Sequence, residues 1–231
     1  MKLDLFRELQ DLRARHHPVA VVTDPASGAQ ALVTAEHITG TLDLSEATAA
    51  QVRRMLHEDV SASLEGLFVR VYGPPWTLLL IGAVHISQAL VPMAEMAGFA
   101  VTVIDPRGAF ATPERFPGVG LVGEWPQKAL AALPPTERTA VVTLTHDPKI
   151  DDPGLIAALR SPAFFIGALG SARTHNQRKE RLASAGFTVD QIARIAGPVG
   201  LDLGARTPGE IAVSVLAEIV GARHGRRRVR P

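Results

Sequence analysis

The chain has 231 residues, of which 46% are hydrophobic, and its 24 basic and 23 acidic side chains leave a formal net charge of +1. This length and apolar content suffice for one large or two modest domains, and the near-neutral charge gives no general attraction to nucleic acid. The absence of cysteine excludes disulfides, thiolate metal sites and a protein-bound persulfide. Since the N-terminus has no long apolar core, we expect a cytoplasmic protein without a signal peptide or membrane span.

The first 73 residues are expected to form a small α+β domain, followed by a linker at residues 74–76. Leucines at helical spacing predict an N-terminal helix, two apolar runs around a turn-rich segment predict a hairpin, and an alternating run predicts a half-exposed strand. The elements are a helix over the first fifteen residues, a hairpin around residues 24–28, a helix over Glu46–Glu58 capped by Ser45, and a strand over Leu67–Tyr72.

The middle of the chain predicts the opening of a βαβ unit. An apolar run over residues 77–81 ends in Gly82 and passes into a helix-like segment over 86–97. The next apolar run, 100–104, ends in Asp105, which follows Gly82 at close to the spacing at which an acidic side chain meets a nucleotide ribose.

The dinucleotide-binding fingerprint at this turn is incomplete. Where such a loop would read Gly-x-Gly-x-x-Gly, the chain has Gly82, Val84 and Ser87. Val84 places a branched side chain where the backbone would have to approach a pyrophosphate, and Ser87 replaces the glycine that lets helix and strand pack closely. The pattern therefore supports the fold and argues against ordinary dinucleotide binding.

Strands and helices alternate through residues 77–222 and predict an α/β fold with a doubly wound, mostly parallel, Rossmann-like sheet. Residues 223–231 form a basic tail, which we interpret as a solvated terminus. The remaining predicted elements are a loop over 106–118, strands at 120–123, 139–145 and 163–166, and three helices. The first of these helices covers 155–159 and is capped by Asp151 or Asp152. A basic helix begins with a capping box of Thr174 and Gln177 and ends at Gly186, and a final helix follows the capping box of Thr207 and Glu210.

Polar residues follow the predicted strands at the edge where open α/β sheets bind ligands. Three of the eight histidines gather there, together with two helix N-termini that can bind anions. An oxyanion held by backbone N–H groups and by Arg173 or Arg178 is chemically reasonable. The candidate ligand-binding residues are Gly82, His85, Asp105, Arg107, His146, Asp147, Gly170, Ser171, Arg173, Thr174, His175 and Arg178.

Each candidate also has a purely structural explanation. His85 could serve only as the first residue of a helix, and His146 and Asp147 could begin a turn. Arg178 could belong to a solvated helix face. We do not expect a metal site, because the histidines lack a ligand pair at fixed helical spacing.

Three composite motifs closely resemble those of the XdhC/CoxI family, the accessory proteins of molybdenum hydroxylases such as xanthine and carbon monoxide dehydrogenases. The motifs are residues 145–153 (THDPKIDDP), 167–175 (GALGSARTH) and 200–208 (GLDLGARTP) with Glu210 and the following helix. The resemblance implies that the protein binds molybdenum cofactor, a molybdopterin with or without an attached nucleotide. It also implies that the protein supports sulfuration of the cofactor by a separate cysteine desulfurase and hands it to an apo molybdenum hydroxylase.

The chain departs from this family pattern at two places. Family members usually show Gly-Ala-Gly-His-Val-Gly at the first turn, where residues 82–87 read GAVHIS. They also carry a Ser-Gly-Gly-Cys-like stretch in the N-terminal domain, where residues 40–46 contain no cysteine. The first departure weakens the expectation of a bound nucleotide, and the second removes any thiolate role for that domain.

The sequence therefore predicts a cofactor-handling chaperone rather than an enzyme with turnover. In this interpretation the cofactor's phosphate is bound by the side chains of Arg173, Thr174 and Arg178 and by backbone N–H groups near residues 170–171. The side chains of His85, His146 and Asp147 approach the pterin or the metal's ligands. One alternative is a Rossmann oxidoreductase that uses NAD(P) or FAD, and another is a scaffold that binds the target enzyme without a ligand. A homodimer is compatible with all three interpretations.

Overall fold

The computed structural model describes residues 1–226, which divide into two compact units, Met1–Pro75 and the part from Trp76 onward. Residues 227–231 of the predicted basic tail lie outside the described residues, and Arg223 still belongs to the last helix. Within the described part of the chain, no helix combines the length and the apolar character that crossing a bilayer requires.

The first unit is a five-stranded antiparallel sheet with one helix on each face. Its elements are α1 (Leu3–Ala14), β1 (Val19–Thr23), β2 (Gln30–Val33), β3 (Ile38–Gly40), α2 (Glu46–Glu58), β4 (Ala62–Leu64) and β5 (Leu67–Tyr72). The sheet order is β3-β2-β1-β5-β4. The central strand β1 is buried on both faces, with Val19 and Val21 packed toward α1 and Ala20 and Val22 packed toward α2. The predicted hairpin, strand β5 and the Ser45-capped helix α2 are confirmed.

The second unit alternates strands and helices along the chain. Its elements are β6 (Trp76–Ile81), α3 (His85–Met96), β7 (Phe99–Ile104), β8 (Gly120–Val122), α4 (Pro126–Ala132), β9 (Thr139–Thr143), α5 (Pro148–Leu159), β10 (Phe165–Ala168), α6 (Ala172–Ser184), α7 (Val189–Ile192), β11 (Ile195–Ala196) and α8 (Pro208–Arg223).

The six strands of this unit form one parallel sheet in the order β11-β10-β9-β6-β7-β8. The chain enters at β6, runs outward to β8, and returns to β9 before it runs to the opposite edge. The winding direction therefore reverses between β6 and β9, as in a dinucleotide-binding fold. This order confirms the predicted α/β class and places the ligand crevice beyond the carboxyl ends of β6 and β9.

Helices cover both faces of the parallel sheet. Leu78 and Leu80 pack toward α3 and α8, whereas Leu79 and Ile81 pack toward α4, α5 and α6. This alternation along β6 explains its continuous apolar sequence, because a strand covered on both faces has no polar side. The predicted capping box of α8 is confirmed by reciprocal hydrogen bonds between the Thr207 and Glu210 side chains and the backbone.

Two predicted helix starts are wrong. Helix α5 begins at Pro148, because Asp147 caps it by accepting a hydrogen bond from the Lys149 N–H at 2.9 Å. Asp151 and Asp152 consequently lie inside the helix rather than at its cap. The prediction placed the helix start at Pro153, because a proline is favoured in the first turn of a helix. In the structure Pro148 occupies that first turn and Pro153 lies within α5.

The start of α6 is also shifted. Its cap is Ser171, whose Oγ accepts a hydrogen bond from the Thr174 N–H at 3.1 Å, and not Thr174 itself. Strand β10 runs two residues later than predicted, and helix α4 was not predicted because its seven residues carry a weak periodic signal.

Candidate functional site

The candidate residues lie at the carboxyl ends of four strands that are neighbours in the sheet, in the order β10, β9, β6 and β7. Backbone hydrogen bonds continue past the strand ends, since the Leu144 N–H donates to the Ile81 carbonyl and the Leu169 N–H donates to the Thr143 carbonyl, each at 2.9 Å. The turns after β6 and β9 also touch each other. A Cβ on Gly82, which has φ +115°, would lie 2.5 Å from Cγ2 of Thr145, so only glycine fits there.

The turn after β7 is stabilised by hydrogen bonds to the side chain of Asp105. The carboxylate of Asp105 is fully buried and accepts hydrogen bonds at 2.8–2.9 Å from the Ala83 N–H and from the backbone and guanidinium of Arg107. Burial alone would raise the pKa of Asp105, but these hydrogen bonds and the charge of Arg107 hold it below its usual value. The carboxylate that the spacing predicts for a ribose is therefore already engaged inside the protein.

The turn after β6 leads into α3, whose first residue is the exposed His85. Within residues 1–226 the N–H groups of His85 and Ile86 have no acceptor, and no side chain caps this helix. The buried hydroxyl of Ser87 donates to the Gly82 carbonyl, so the serine that replaces a glycine of the fingerprint braces the turn.

The turn after β9 presents an exposed histidine in an unusual backbone conformation. His146 has φ +64°, a left-handed region that non-glycine residues seldom adopt and that often marks functional sites. Its neighbours hold it there: the Asp147 N–H donates to Oγ1 of Thr145 at 3.0 Å, and this hydroxyl donates to Oδ1 of Asp151 at 2.7 Å. His146 is thus exposed on a loop that side-chain hydrogen bonds anchor.

The turn after β10 forms the second open helix N-terminus. Gly170 has φ +142° and leads to Ser171, the cap of α6, while Arg173 in the first helical turn is exposed. Within the described residues the N–H groups of Ala172 and Arg173 have no acceptor. Free N–H groups at a helix N-terminus and an arginine in the first helical turn are groups that can bind an anion such as phosphate.

Arg178 and His175 lie beneath this turn rather than on it. Arg178 is 2% exposed, and its Nη2 donates to the Leu169 carbonyl at 2.8 Å and lies 4.0 Å from Oδ2 of Asp151. The solvated-face explanation of Arg178 is therefore wrong. The ring of the buried His175 abuts Gly197, where a Cβ would come within 2.0 Å of Nδ1. Both side chains support the turn from inside the protein.

A buried ionic pair connects the two turns. Asp151 from α5 anchors the β9 turn through Thr145, and Arg178 from α6 anchors the β10 turn through Leu169. Burial raises the pKa of Asp151, and the hydrogen bond from Thr145 and the charge of Arg178 oppose this effect. Burial likewise lowers the pKa of Arg178, which the charge of Asp151 opposes. Because Oδ2 of Asp151 accepts no hydrogen bond within the described residues, the two turns are linked here by charge at 4.0 Å and not by a hydrogen bond.

The motif of residues 200–208 contains none of the ligand-binding residues predicted from the sequence. In the structure part of this motif lines a wide-open cavity of about 520 Å³ beyond the carboxyl ends of β10 and β11, together with Leu169 and the start of α8. The available signal was the motif itself, which contains an acidic residue, Asp202, among apolar residues and glycines. Within residues 1–226 no three His, Asp or Glu side chains are arranged to hold a metal ion.

Residues 78–219 match the family model of the XdhC Rossmann domain. The chain belongs to the XdhC family. The family predicted from the three composite motifs is thereby confirmed.

Among curated XdhC relatives, the molybdenum cofactor insertion chaperone PaoD of Escherichia coli is 41% identical over 85 residues, which are 37% of this chain and 27% of PaoD. A probable xanthine dehydrogenase component of Bacillus subtilis is 34% identical over 158 residues, 68% of this chain and 46% of that protein.

A third relative, the uncharacterized YqeB of Escherichia coli, is 35% identical over 156 residues, 67% of this chain and 28% of YqeB. The matched regions thus span between about a quarter and a half of these three relatives. Among solved structures, a xanthine dehydrogenase from Bacillus halodurans superposes with a TM-score of 0.75 at 23% identity, over 100% of this chain and 68% of that one. At this identity the superposition shows a shared fold.

Proposed function

We propose that the protein is an accessory chaperone of a molybdenum hydroxylase, which binds molybdenum cofactor at the strand-end crevice and delivers it to the apoenzyme. The insertion-chaperone relative PaoD supports this proposal, as does the match of the second unit to the XdhC Rossmann domain. The target would be an enzyme of the xanthine or carbon monoxide dehydrogenase type.

The open N-terminus of α6 is the observation that carries the proposal. The cofactor is a phosphorylated pterin, and this helix offers unpaired N–H groups next to the exposed Arg173. The buried Arg178 donates a hydrogen bond to the Leu169 carbonyl just before the Ser171 turn, which supports a preorganised anion site. The residues therefore fit the phosphate of the cofactor, and the exposed His146 lies on the next strand end toward the crevice.

Two features of the Gly82 turn argue against binding of the cofactor's nucleotide there, even though the first N–H groups of α3 are unpaired within the described residues. Asp105 is engaged by Ala83 and Arg107, and Val84 carries a branched side chain at the fingerprint position. The same two features argue against the oxidoreductase alternative, because NAD(P) and FAD depend on this turn. Sulfuration of the bound cofactor would draw its sulfur from a separate cysteine desulfurase, since the chain has no cysteine to carry a persulfide.

Cofactor retention tests the proposal directly. The full chain is purified from cells that make molybdenum cofactor, denatured, and analysed for pterin and nucleotide by mass spectrometry. We expect about one pterin per chain, a mass that reveals any attached nucleotide, and no pterin from cells that cannot make molybdopterin. Arg173→Ala should reduce retention, whereas Arg54→Ala, which removes an equally exposed helical arginine from the first unit, should not.

Other outcomes would replace the proposal. Recovery of a nicotinamide or flavin, or binding of reduced nicotinamide in a spectrophotometric titration, would establish the oxidoreductase alternative. An empty protein that still captures and matures its target enzyme would establish the scaffold alternative.

A further inference from the structure

We propose that the open cavity lined by residues 197–205 and the start of α8 holds the pterin ring, with Asp202 accepting hydrogen bonds from its 2-amino and N3–H groups. This assignment rests on the proposed function and deepens it. It divides recognition of one ligand between an anion site at α6 for the phosphate and a cavity for the heterocycle.

The cavity suits a planar heterocycle. It measures about 520 Å³, and apolar side chains from a strand end, the loop and α8 line it, among them Leu169, Val199 and Ile211. Ligand sites for small organic molecules are typically concave, mostly apolar and of this order of volume, with a few polar groups that set orientation. One face of a ring system can therefore lie on these apolar side chains while its polar edge meets Asp202.

The loop that forms the cavity is held in one shape by backbone hydrogen bonds. The Gly200 N–H donates to Oε2 of the buried Glu218 at 2.6 Å, and the Leu201 N–H donates to the Ser214 carbonyl at 3.1 Å. Gly200 has φ +105°, and a Cβ there would lie 2.5 Å from Oγ of Ser214, so loop and helix are in close contact. A pocket with this much internal support loses little entropy when a ligand enters.

Asp202 supplies the polar group that matches the ring edge. It lines the cavity, its side chain is exposed, and within residues 1–226 no group donates a hydrogen bond to it. The 2-amino and N3–H groups of a pterin point the same way from adjacent ring positions, much as two N–H groups of a guanidinium do. A carboxylate can accept both hydrogen bonds at once, and such charge-assisted pairs are stronger than neutral ones.

Leu169 joins the cavity to the anion site. Its side chain lines the cavity, its carbonyl accepts the hydrogen bond from Arg178, and the next two residues form the turn that opens α6. The pterin ring and the phosphate of one cofactor molecule would thus bind on either side of a single, internally braced turn.

The test compares Asp202→Asn with Asp190→Asn, a matched change at an exposed aspartate on α7. Each full chain is purified from cells that make molybdenum cofactor, and its pterin is oxidised and counted by fluorescence. We expect Asp202→Asn to retain about ten- to a hundredfold less pterin than the wild type, the range for losing hydrogen bonds to a charged group. Asp190→Asn should retain as much as the wild type, with both variants unchanged in far-UV circular dichroism.

A second measurement separates ring-edge recognition from general damage. Binding of 6-hydroxymethylpterin and of its 2-oxo analogue, 6-hydroxymethyllumazine, is measured by equilibrium dialysis against the wild type and Asp202→Asn. The wild type should prefer the pterin, and the variant should lose this preference. Equal pterin retention by wild type and Asp202→Asn, or an unchanged ring preference, would overturn the cavity assignment and leave the proposed function standing. A wild-type protein without pterin would overturn both.

Discussion

The guanidinium of Arg107 pairs with the carboxylate of Asp105 at two points, with Nε donating to Oδ1 at 2.9 Å and Nη2 donating to Oδ2 at 2.8 Å. The aspartate is fully buried, whereas 37% of the arginine side chain is exposed. An arginine two residues after the aspartate thus occupies the carboxylate on which a nucleotide ribose would depend in a dinucleotide-binding protein. The parallel sheet has the strand order of a dinucleotide-binding fold, but at this position the carboxylate forms an internal ion pair.

Replacing Arg107 should therefore cost stability. We expect Arg107→Met to lower the free energy of unfolding of the second unit by about 1–3 kcal/mol, because the buried carboxylate loses its charged donors and keeps only backbone N–H groups. Urea unfolding at pH 7 measures the effect. Arg54→Met, at an exposed helical position, should stay within about 0.5 kcal/mol of the wild type. Equal losses in both variants would show that the pair contributes nothing.

The same pair predicts a pH dependence with a definite sign. The folded-state pKa of Asp105 lies below the ordinary aspartate value of 3.8, so the pair's stabilisation is fully present above that value and is lost as the pH falls through the folded-state pKa. In Arg107→Met burial remains without the opposing charge. The stability difference between wild type and variant should therefore be largest near neutral pH and shrink in acid, as measured by urea unfolding at a series of pH values. A difference that grows toward low pH would contradict the assignment.

Two serine caps allow stability and binding to be separated. Ser171 caps α6 at the proposed anion site, and Ser45 caps α2 in the first unit with a similar hydrogen bond to the third helical N–H. We expect each serine-to-alanine change to cost about 1 kcal/mol of stability. Only Ser171→Ala should also reduce pterin retention, since its turn would hold the phosphate. A parallel loss of pterin in Ser45→Ala would point to general destabilisation instead.

His146 can be tested by two substitutions that remove the imidazole. Its φ of +64° favours glycine, so His146→Gly should be more stable than His146→Ala by about 1 kcal/mol in thermal or urea unfolding. If the imidazole approaches the metal's ligands, both variants should lower the ratio of bound molybdenum to pterin, measured by elemental analysis and fluorescence. A reduced ratio in the alanine variant alone would assign the effect to the backbone.

Some elements could be predicted closely because their signals are local. Helix α2 has the predicted ends, since Ser45 and the apolar spacing of its face lie within the segment itself. The capping box of α8 is equally local. By contrast, several polar residues near the starts of α5 and α6 are suitable as helix caps. Local spacing alone does not show that Asp147 and Ser171 are the ones used.

The order of amino acids was enough to predict the fold class, the apolar strands of the parallel sheet and the family, because periodicity, helix caps and long motifs are properties of neighbouring residues. The roles of the polar candidates, in contrast, depend on the tertiary structure. In the folded protein Arg107 pairs with Asp105, Arg178 is buried and donates to the Leu169 carbonyl, and Arg173 is exposed. All three arginines follow predicted strands, so the sequence does not distinguish their roles. The physical reason is that burial and pairing depend on groups brought together by the sheet from distant parts of the chain.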